Sequence, residues 1–157
     1  MELNKNVADF TLQTDEDKTV SLSNYAGKPV VLFFYPRADT PGCTIEACGF
    51  RDQFEKLQKA GAVVLGISRD TPKAQAKFKA KYNLPYTLLA DVDEQVSNQF
   101  GVMKEKNIYG KKVMGIERTT FVIGPDQTLL HIFPKVTPEG HAEQVLALIE
   151  GWKKKHK

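Results

Sequence analysis

The sequence predicts an α/β fold, a mixed central sheet flanked by helices, on two observations: short, continuously apolar runs alternate with amphipathic stretches, and Pro/Gly turns separate them. Residues 29–35 are apolar throughout and rich in β-branched and aromatic side chains, among them Val30, Val31, Phe33, Phe34 and Tyr35, as suits a central strand covered on both faces. Residues 62–67 have the same character. Between these runs Phe50, Phe54 and Leu57 recur at helical spacing, so strand, helix and strand form one right-handed crossover unit. Thr71-Pro72 supplies a cap and a first-turn proline for a second helix, which runs to about Tyr82 through Ala76, Phe78 and Ala80. A short strand over residues 87–90 follows, then a helix over residues 94–100 closed by Gly101. Residues 104–115 are polar and rich in Lys and Gly, which predicts a long loop. Strands over residues 118–123 and 128–133 flank the hairpin turn Gly124-Pro125-Asp126-Gln127. Thr137-Pro138 is expected to cap a last helix whose apolar face carries Val145, Leu148, Ile149 and Trp152.

The composition excludes several classes of function. With 157 residues, 41% hydrophobic and 26% charged, the chain reads as one globular domain, residues 1–157. At that length a fold buries roughly 68–70% of its unfolded surface and needs no disulfide staple. The net charge of +3 is too small and too evenly spread to argue for nucleic acid. Its one basic cluster, from Lys153 to Lys157, reads as a solvated helix end with cations at the negative pole of the dipole. Residues 1–30 hold no long apolar run, so neither a signal peptide nor a membrane span is expected, and the cytoplasm is the expected compartment. Zinc would need three or four ligands, whereas His131, His141 and His156 are scattered, so neither metal nor cofactor is expected. His141 is assigned to the surface, and Phe33, Phe34 and Tyr35 to the core and the wall of a site.

The chain has two cysteines, Cys43 and Cys48. In a cytosolic protein such a pair is more often catalytic or redox-active than structural. Cys43 follows Tyr35-Pro36-Arg37-Ala38-Asp39-Thr40-Pro41-Gly42, where an apolar strand enters a Pro/Gly turn and then a helix. That puts its thiol at a helix N-terminus, where unpaired N–H groups and the positive end of the dipole favour the thiolate, the form that attacks.

Pro36, Thr40 and Cys43, in the pattern Pro-x-x-x-Thr-x-x-Cys, resemble the active-site signature of peroxiredoxins. The run from Cys43 to Cys48, with four residues between the cysteines, is similar to the atypical two-cysteine group of bacterioferritin comigratory protein, or peroxiredoxin Q. Glu117-Arg118-Thr119-Thr120-Phe121 resembles that group's strand carrying the active-site arginine. Element order agrees from about residue 5 to 150 and is the thioredoxin-like order with an N-terminal extension. The resemblance implies a thiol peroxidase that reduces hydrogen peroxide or organic hydroperoxides, recycled by thioredoxin or a similar dithiol, and a monomer.

Each motif residue has a physical reason within that chemistry. A Cys43 thiolate attacks one peroxide oxygen, and negative charge grows on the departing oxygen. Thr40 can give its hydroxyl to the peroxide, while the N–H groups of Gly42 and Cys43 face the same concavity, so Thr40, Gly42, Cys43 and Arg118 make up the expected substrate site. Pro36 removes a competing donor and shields the thiolate. Arg118 supplies a permanent positive charge. Glu46, one turn after Cys43, is expected to orient Arg118 as a bidentate carboxylate. Thr40 is also expected to cap the helix.

The product is a sulfenic acid, which the resemblance assigns to Cys48 for resolution as a disulfide. Five residues along an ideal helix separate Cα atoms by roughly 8–9 Å, whereas disulfides need less than about 7 Å. If both cysteines lie in one helix when reduced, closure requires local unwinding, which the flanking Gly42 and Gly49 make cheaper. Two alternatives stay open: a one-cysteine peroxidase resolved by an external thiol, with Cys48 as plain helix filling, and a peroxide-sensing redox switch without efficient turnover. Four residues between the cysteines disfavour a thioredoxin-type oxidoreductase, no motif supports His131 as the base of a cysteine hydrolase, and no phosphate-binding glycine pattern is present. The segment 104–115 is expected to be a mobile loop, with a lid or a reductase-docking loop as the alternative.

Overall fold

The computed structural model describes residues 1–156. In chain order the elements are β1 (Thr11–Thr14), β2 (Thr19–Ser21), β3 (Val30–Phe34), α1 (Pro41–Lys59), β4 (Val63–Ser68), α2 (Pro72–Tyr82) and β5 (Thr87–Ala90). Then come α3 (Gln95–Gln99), β6 (Met103–Ile108), β7 (Lys111–Ile116), β8 (Thr119–Ile123), β9 (Leu129–Phe133) and α4 (His141–Lys155). Seven strands make one mixed sheet in the order β2-β1-β5-β4-β3-β8-β9. Strands β3, β4 and β5 are parallel, while β1, β8 and β9 join antiparallel, which is the thioredoxin-like arrangement with an N-terminal hairpin added at one edge.

Strand β3 is apolar on both faces because both are covered. Val31, Phe33 and Tyr35 pack on one side with Phe50 and Leu57 of α1, Phe78 of α2 and Val145 and Ile149 of α4. Val30, Leu32 and Phe34 pack on the other with Phe10, Leu22, Val96 and Phe100. Phe33 stacks on Phe50 at 4.5 Å between ring centroids, which fixes α1 against the strand that leads into it. Helix α2 begins as its sequence requires, with Pro72 in the first turn and the Thr71 hydroxyl accepting from the Ala74 amide at 3.1 Å.

Two expectations need correction. Residues 104–115 do not form a loop: β6 and β7 pair as a regular antiparallel ladder, Met103 opposite Ile116 through Ile108 opposite Lys111. The turn is Tyr109-Gly110, with φ of 51° and 78°, the left-handed pair that a two-residue hairpin demands. The exposed strands carry charged side chains, so the alternation that marks a half-buried strand is missing. The last helix starts at His141 rather than at Thr137-Pro138, entered through Gly140 at φ 77°. Thr137 and Pro138 instead belong to a loop that folds back over the start of α1, where Pro138 approaches Gly42.

Candidate active site

The loop between β3 and α1 is pinned from outside before it delivers its cysteine. The Ala38 amide donates to Asp70 Oδ2 at 2.8 Å. Asp39, at φ 59°, receives Lys81 Nζ at 2.9 Å and the Tyr82 hydroxyl at 2.7 Å, and these two partners hold its carboxyl below the usual range. Helix α1 then opens with Thr40 at the cap position and Pro41 at its first residue. Because Pro41 has no N–H and the Thr44 amide is the one that bonds back to Thr40 O (2.8 Å), the Gly42 and Cys43 amides are the free donors of the first turn.

Cys43 is buried, 1% exposed, yet it sits directly on a cation. Arg118, in the link between β7 and β8, donates through Nη1 to Glu46 Oε1 at 2.8 Å and through Nη2 to Cys43 Sγ at 3.4 Å. The expected bidentate carboxylate is therefore corrected: the two arms of the guanidinium are shared between Glu46 and the thiol, and Glu46 Oε2 is left buried without a partner. Burial pushes the Glu46 carboxyl up to about 7 against the pull of Arg118. Burial also works against the charge on Arg118, but Glu46 and Cys43 together outweigh it, and the guanidinium pKa is raised.

Thr40 occupies the cap position without capping. Its Oγ1 donates to Arg37 O at 2.8 Å, so the hydroxyl expected to donate to a peroxide is already committed and only its lone pairs are free to accept. Pro36 is half-buried at the end of β3. A Cβ added at Gly42 would lie 3.0 Å from Arg118 Nη2 and 3.5 Å from Pro138 Cγ, so a side chain here would crowd the guanidinium where it passes over the helix. Cys48 is half-buried on the same uninterrupted helix, and both thiols are free. Between them, the Ala47 carbonyl accepts a 2.6 Å hydrogen bond from the buried Tyr86 hydroxyl.

The structure thus brings Pro36, Thr40, Gly42, Cys43, Glu46 and Arg118 to one helix end and leaves Cys48 further along the same helix. One assignment is overturned: His141 is buried, 1% exposed. Its Nε2 pairs with Thr120 Oγ1 at 2.7 Å and its Nδ1 with Gln144 Oε1 at 3.3 Å, while Phe50 and Phe133 meet its ring edge-on. Burial holds its pKa below the usual histidine value. The signal was the i, i+4, i+8 spacing of His141, Val145 and Ile149, which places the imidazole on the apolar face of α4.

The chain resembles known proteins along most of its length. The AhpC/TSA family matches residues 3–132. The putative peroxiredoxin Bcp of Coxiella burnetii is 56% identical over 137 residues, 87% of this chain and 91% of that one. The peroxiredoxin Bcp of Bacillus subtilis is 41% identical over 155 residues, 99% of each chain. A structure of the bacterioferritin comigratory protein of Xanthomonas campestris, described for its alkyl peroxide reduction, superposes with a TM-score of 0.88 at 39% identity and 92% coverage of both chains. With this fold and these relatives, the chain belongs to the AhpC/TSA family, in its Bcp or peroxiredoxin Q branch, and is a thiol-dependent peroxidase.

Proposed function

We propose that Cys43 is the peroxidatic nucleophile of a cytoplasmic, monomeric, single-domain peroxidase acting on hydrogen peroxide and organic hydroperoxides. The observation that carries this reading is the Arg118 guanidinium shared between Glu46 Oε1 (2.8 Å) and Cys43 Sγ (3.4 Å) at the open end of α1. The Cys43 thiolate attacks the terminal peroxide oxygen, the O–O bond breaks, and the electron pair leaves on the second oxygen, which takes a proton and departs as water or an alcohol. Arg118 and the Gly42 and Cys43 amides lie where that charge develops, and Thr40 accepts from the peroxide hydroxyl. Pro36 keeps water from the sulfur.

Cys43 is then a sulfenic acid. Cys48 attacks its sulfur, the S–O bond breaks, water leaves and a Cys43–Cys48 disulfide forms. A dithiol such as thioredoxin reduces the bridge and is itself oxidised. A second reading is favoured by the unbroken helix between the two thiols: an external thiol resolves Cys43 directly, and Cys48 is helix filling. Peroxide consumption with thioredoxin as donor tests both. Cys43→Ser should abolish turnover, and Cys48→Ser should stop it after a single event per molecule. Unimpaired turnover by Cys48→Ser selects the external thiol, and turnover that survives Cys43→Ser refutes the assignment of the nucleophile.

The peroxidase reaction identifies the thiol reductant only by class, and thioredoxin is the member proposed here. Among the described residues no helix is long and apolar enough to cross a membrane.

A further inference from the structure

Lys106 lies on β6, outside the motif that carries the chemistry, yet its side chain runs to the segment that carries Arg118. It crosses β7 over Gly115, where an added Cβ would stand 3.2 Å from its Cδ and 3.3 Å from its Cε. Its Nζ donates to Ile116 O at 2.7 Å. The next two residues are also tied, the Glu117 amide to Val102 O at 2.8 Å and Arg118 O to the Val136 amide at 2.9 Å. Three consecutive residues are therefore held by backbone carbonyls or amides, and the third projects the guanidinium onto Cys43.

The charges around Lys106 do not pair off. Arg118 is answered by Glu46, and Arg69, at the end of β4, is answered by Glu94 at 3.0 Å. Glu105 on the same hairpin faces Lys112 at 3.9 Å. Among the described residues no carboxylate oxygen lies within 4.0 Å of Lys106 Nζ. Burial weighs most against its charge, Arg118 and Arg69 also oppose it, and Cys43 and Glu117 favour it. A half-buried ammonium without a carboxylate partner is costly, and here the Ile116 carbonyl is what it is bonded to.

We propose that Lys106 is a positioning residue for the peroxidase reaction: its ammonium, laid over Gly115 and bonded to Ile116 O, fixes the Ile116-Glu117-Arg118 segment that aims the guanidinium at Cys43. The proposal rests on the reading of Cys43 as nucleophile. Burial first, then Arg118 and Arg69, lowers the Lys106 pKa from 10.5, so its charge is lost below the ordinary lysine range.

The test is the second-order rate of Cys43 oxidation by hydrogen peroxide, measured by competition with a reporter peroxidase from pH 6 to about 10.5 in the whole protein. The wild type should slow on the alkaline side as the ammonium deprotonates. Lys106→Arg should stay within about twofold at neutral pH and lose that alkaline decline, and Lys106→Met should be slower by roughly tenfold at neutral pH, the scale of one lost charge-assisted hydrogen bond, with the gap closing as the wild-type ammonium deprotonates. A purely structural lysine would leave the shape of the profile unchanged in all three proteins. A wild-type rate flat to pH 10.5, or Lys106→Met within twofold of wild type, overturns the role of Lys106 alone, provided Cys43→Ser abolishes consumption. Consumption that persists in Cys43→Ser overturns the nucleophile and this proposal with it.

Discussion

At the scale of single residues, the site depends on one guanidinium having room to reach a sulfur. Gly42 provides that room, since a Cβ there would stand 3.0 Å from Arg118 Nη2. Gly42→Ala should therefore separate activity from stability. Peroxide reduction should fall by roughly tenfold or more as the guanidinium is displaced, while the better helix propensity of alanine offsets part of the cost of disturbing the Glu46–Arg118 pair and holds the change in stability to about 1 kcal/mol; steady-state assays and urea unfolding of the same variant check both. Glu46 gives a pH signature. Its folded pKa of about 7 lies above the ordinary value of 4.5, so as pH rises the unfolded chain ionises this group first. Its contribution to stability is whole below pH 4.5 and is lost as pH rises through about 7. Unfolding curves across that window should show the decline in wild type and not in Glu46→Gln. The partners at this scale were unevenly legible. Cys43 follows from its own neighbours, a strand, a Pro/Gly turn and a helix start. Glu46 and Arg118 are 72 residues apart, with no local pattern to join them, and only the resemblance of Glu117-Arg118-Thr119-Thr120-Phe121 to a known strand placed them together. The split of the guanidinium between a carboxylate and a thiol needed coordinates.

At the scale of elements, α1 is both the scaffold and the obstacle. It is regular from Pro41 to Lys59, which sets the two cysteine Cα atoms roughly 8–9 Å apart and forbids the bridge in this conformation. Three ties oppose its opening: Asp39 on Lys81 and Tyr82, the Tyr86 hydroxyl on Ala47 O, and the Arg51 guanidinium on Tyr82 O at 2.8 Å. Tyr86→Phe removes the tie that lies between the two thiols. It should cost about 1 kcal/mol of stability and speed formation of the Cys43–Cys48 bridge by roughly fivefold. Hydrogen exchange read by mass spectrometry should show residues 43–50 losing protection on oxidation, sooner in this variant. Equal protection in the reduced and oxidised forms would contradict the unwinding. Elements with a buried face were legible, because continuous apolar runs and helical spacing announced β3, α1, β4 and α2. The β6–β7 hairpin was not, since exposed strands bearing Lys104, Glu105, Lys106, Lys111 and Lys112 carry no alternation, and its one local cue was Tyr109-Gly110. The start of α4 was misplaced because Thr137-Pro138 has the chemistry of a helix entry but serves as a loop against α1.

At the scale of the whole molecule, the sheet is a device for meeting. Parallel β3 and β4 bring the N-terminus of α1 to the same end as the Arg69-Asp70 turn, while antiparallel β8 brings Arg118 back beside it, Phe34 opposite Thr119. The fold class was readable from the alternation of runs alone. The meeting point was not, because it depends on the strand order β4-β3-β8, which no local pattern encodes. His141 belongs to this scale as well: it links β8 to α4 through Thr120 and fills the space between Phe50 and Phe133, so one buried imidazole ties α1 and α4 to the sheet beneath them. What the assembled molecule is for comes down to where a peroxide loses its oxygen. The direct measurement is peptide mapping of Cys48→Ser after one equivalent of hydrogen peroxide in the presence of dimedone, which traps sulfenic acids. The account predicts near-stoichiometric label on Cys43, and little or none over the same time when Arg118→Ala is added. A Cys43 thiol that stays unlabelled and open to alkylation while the peroxide disappears would contradict it.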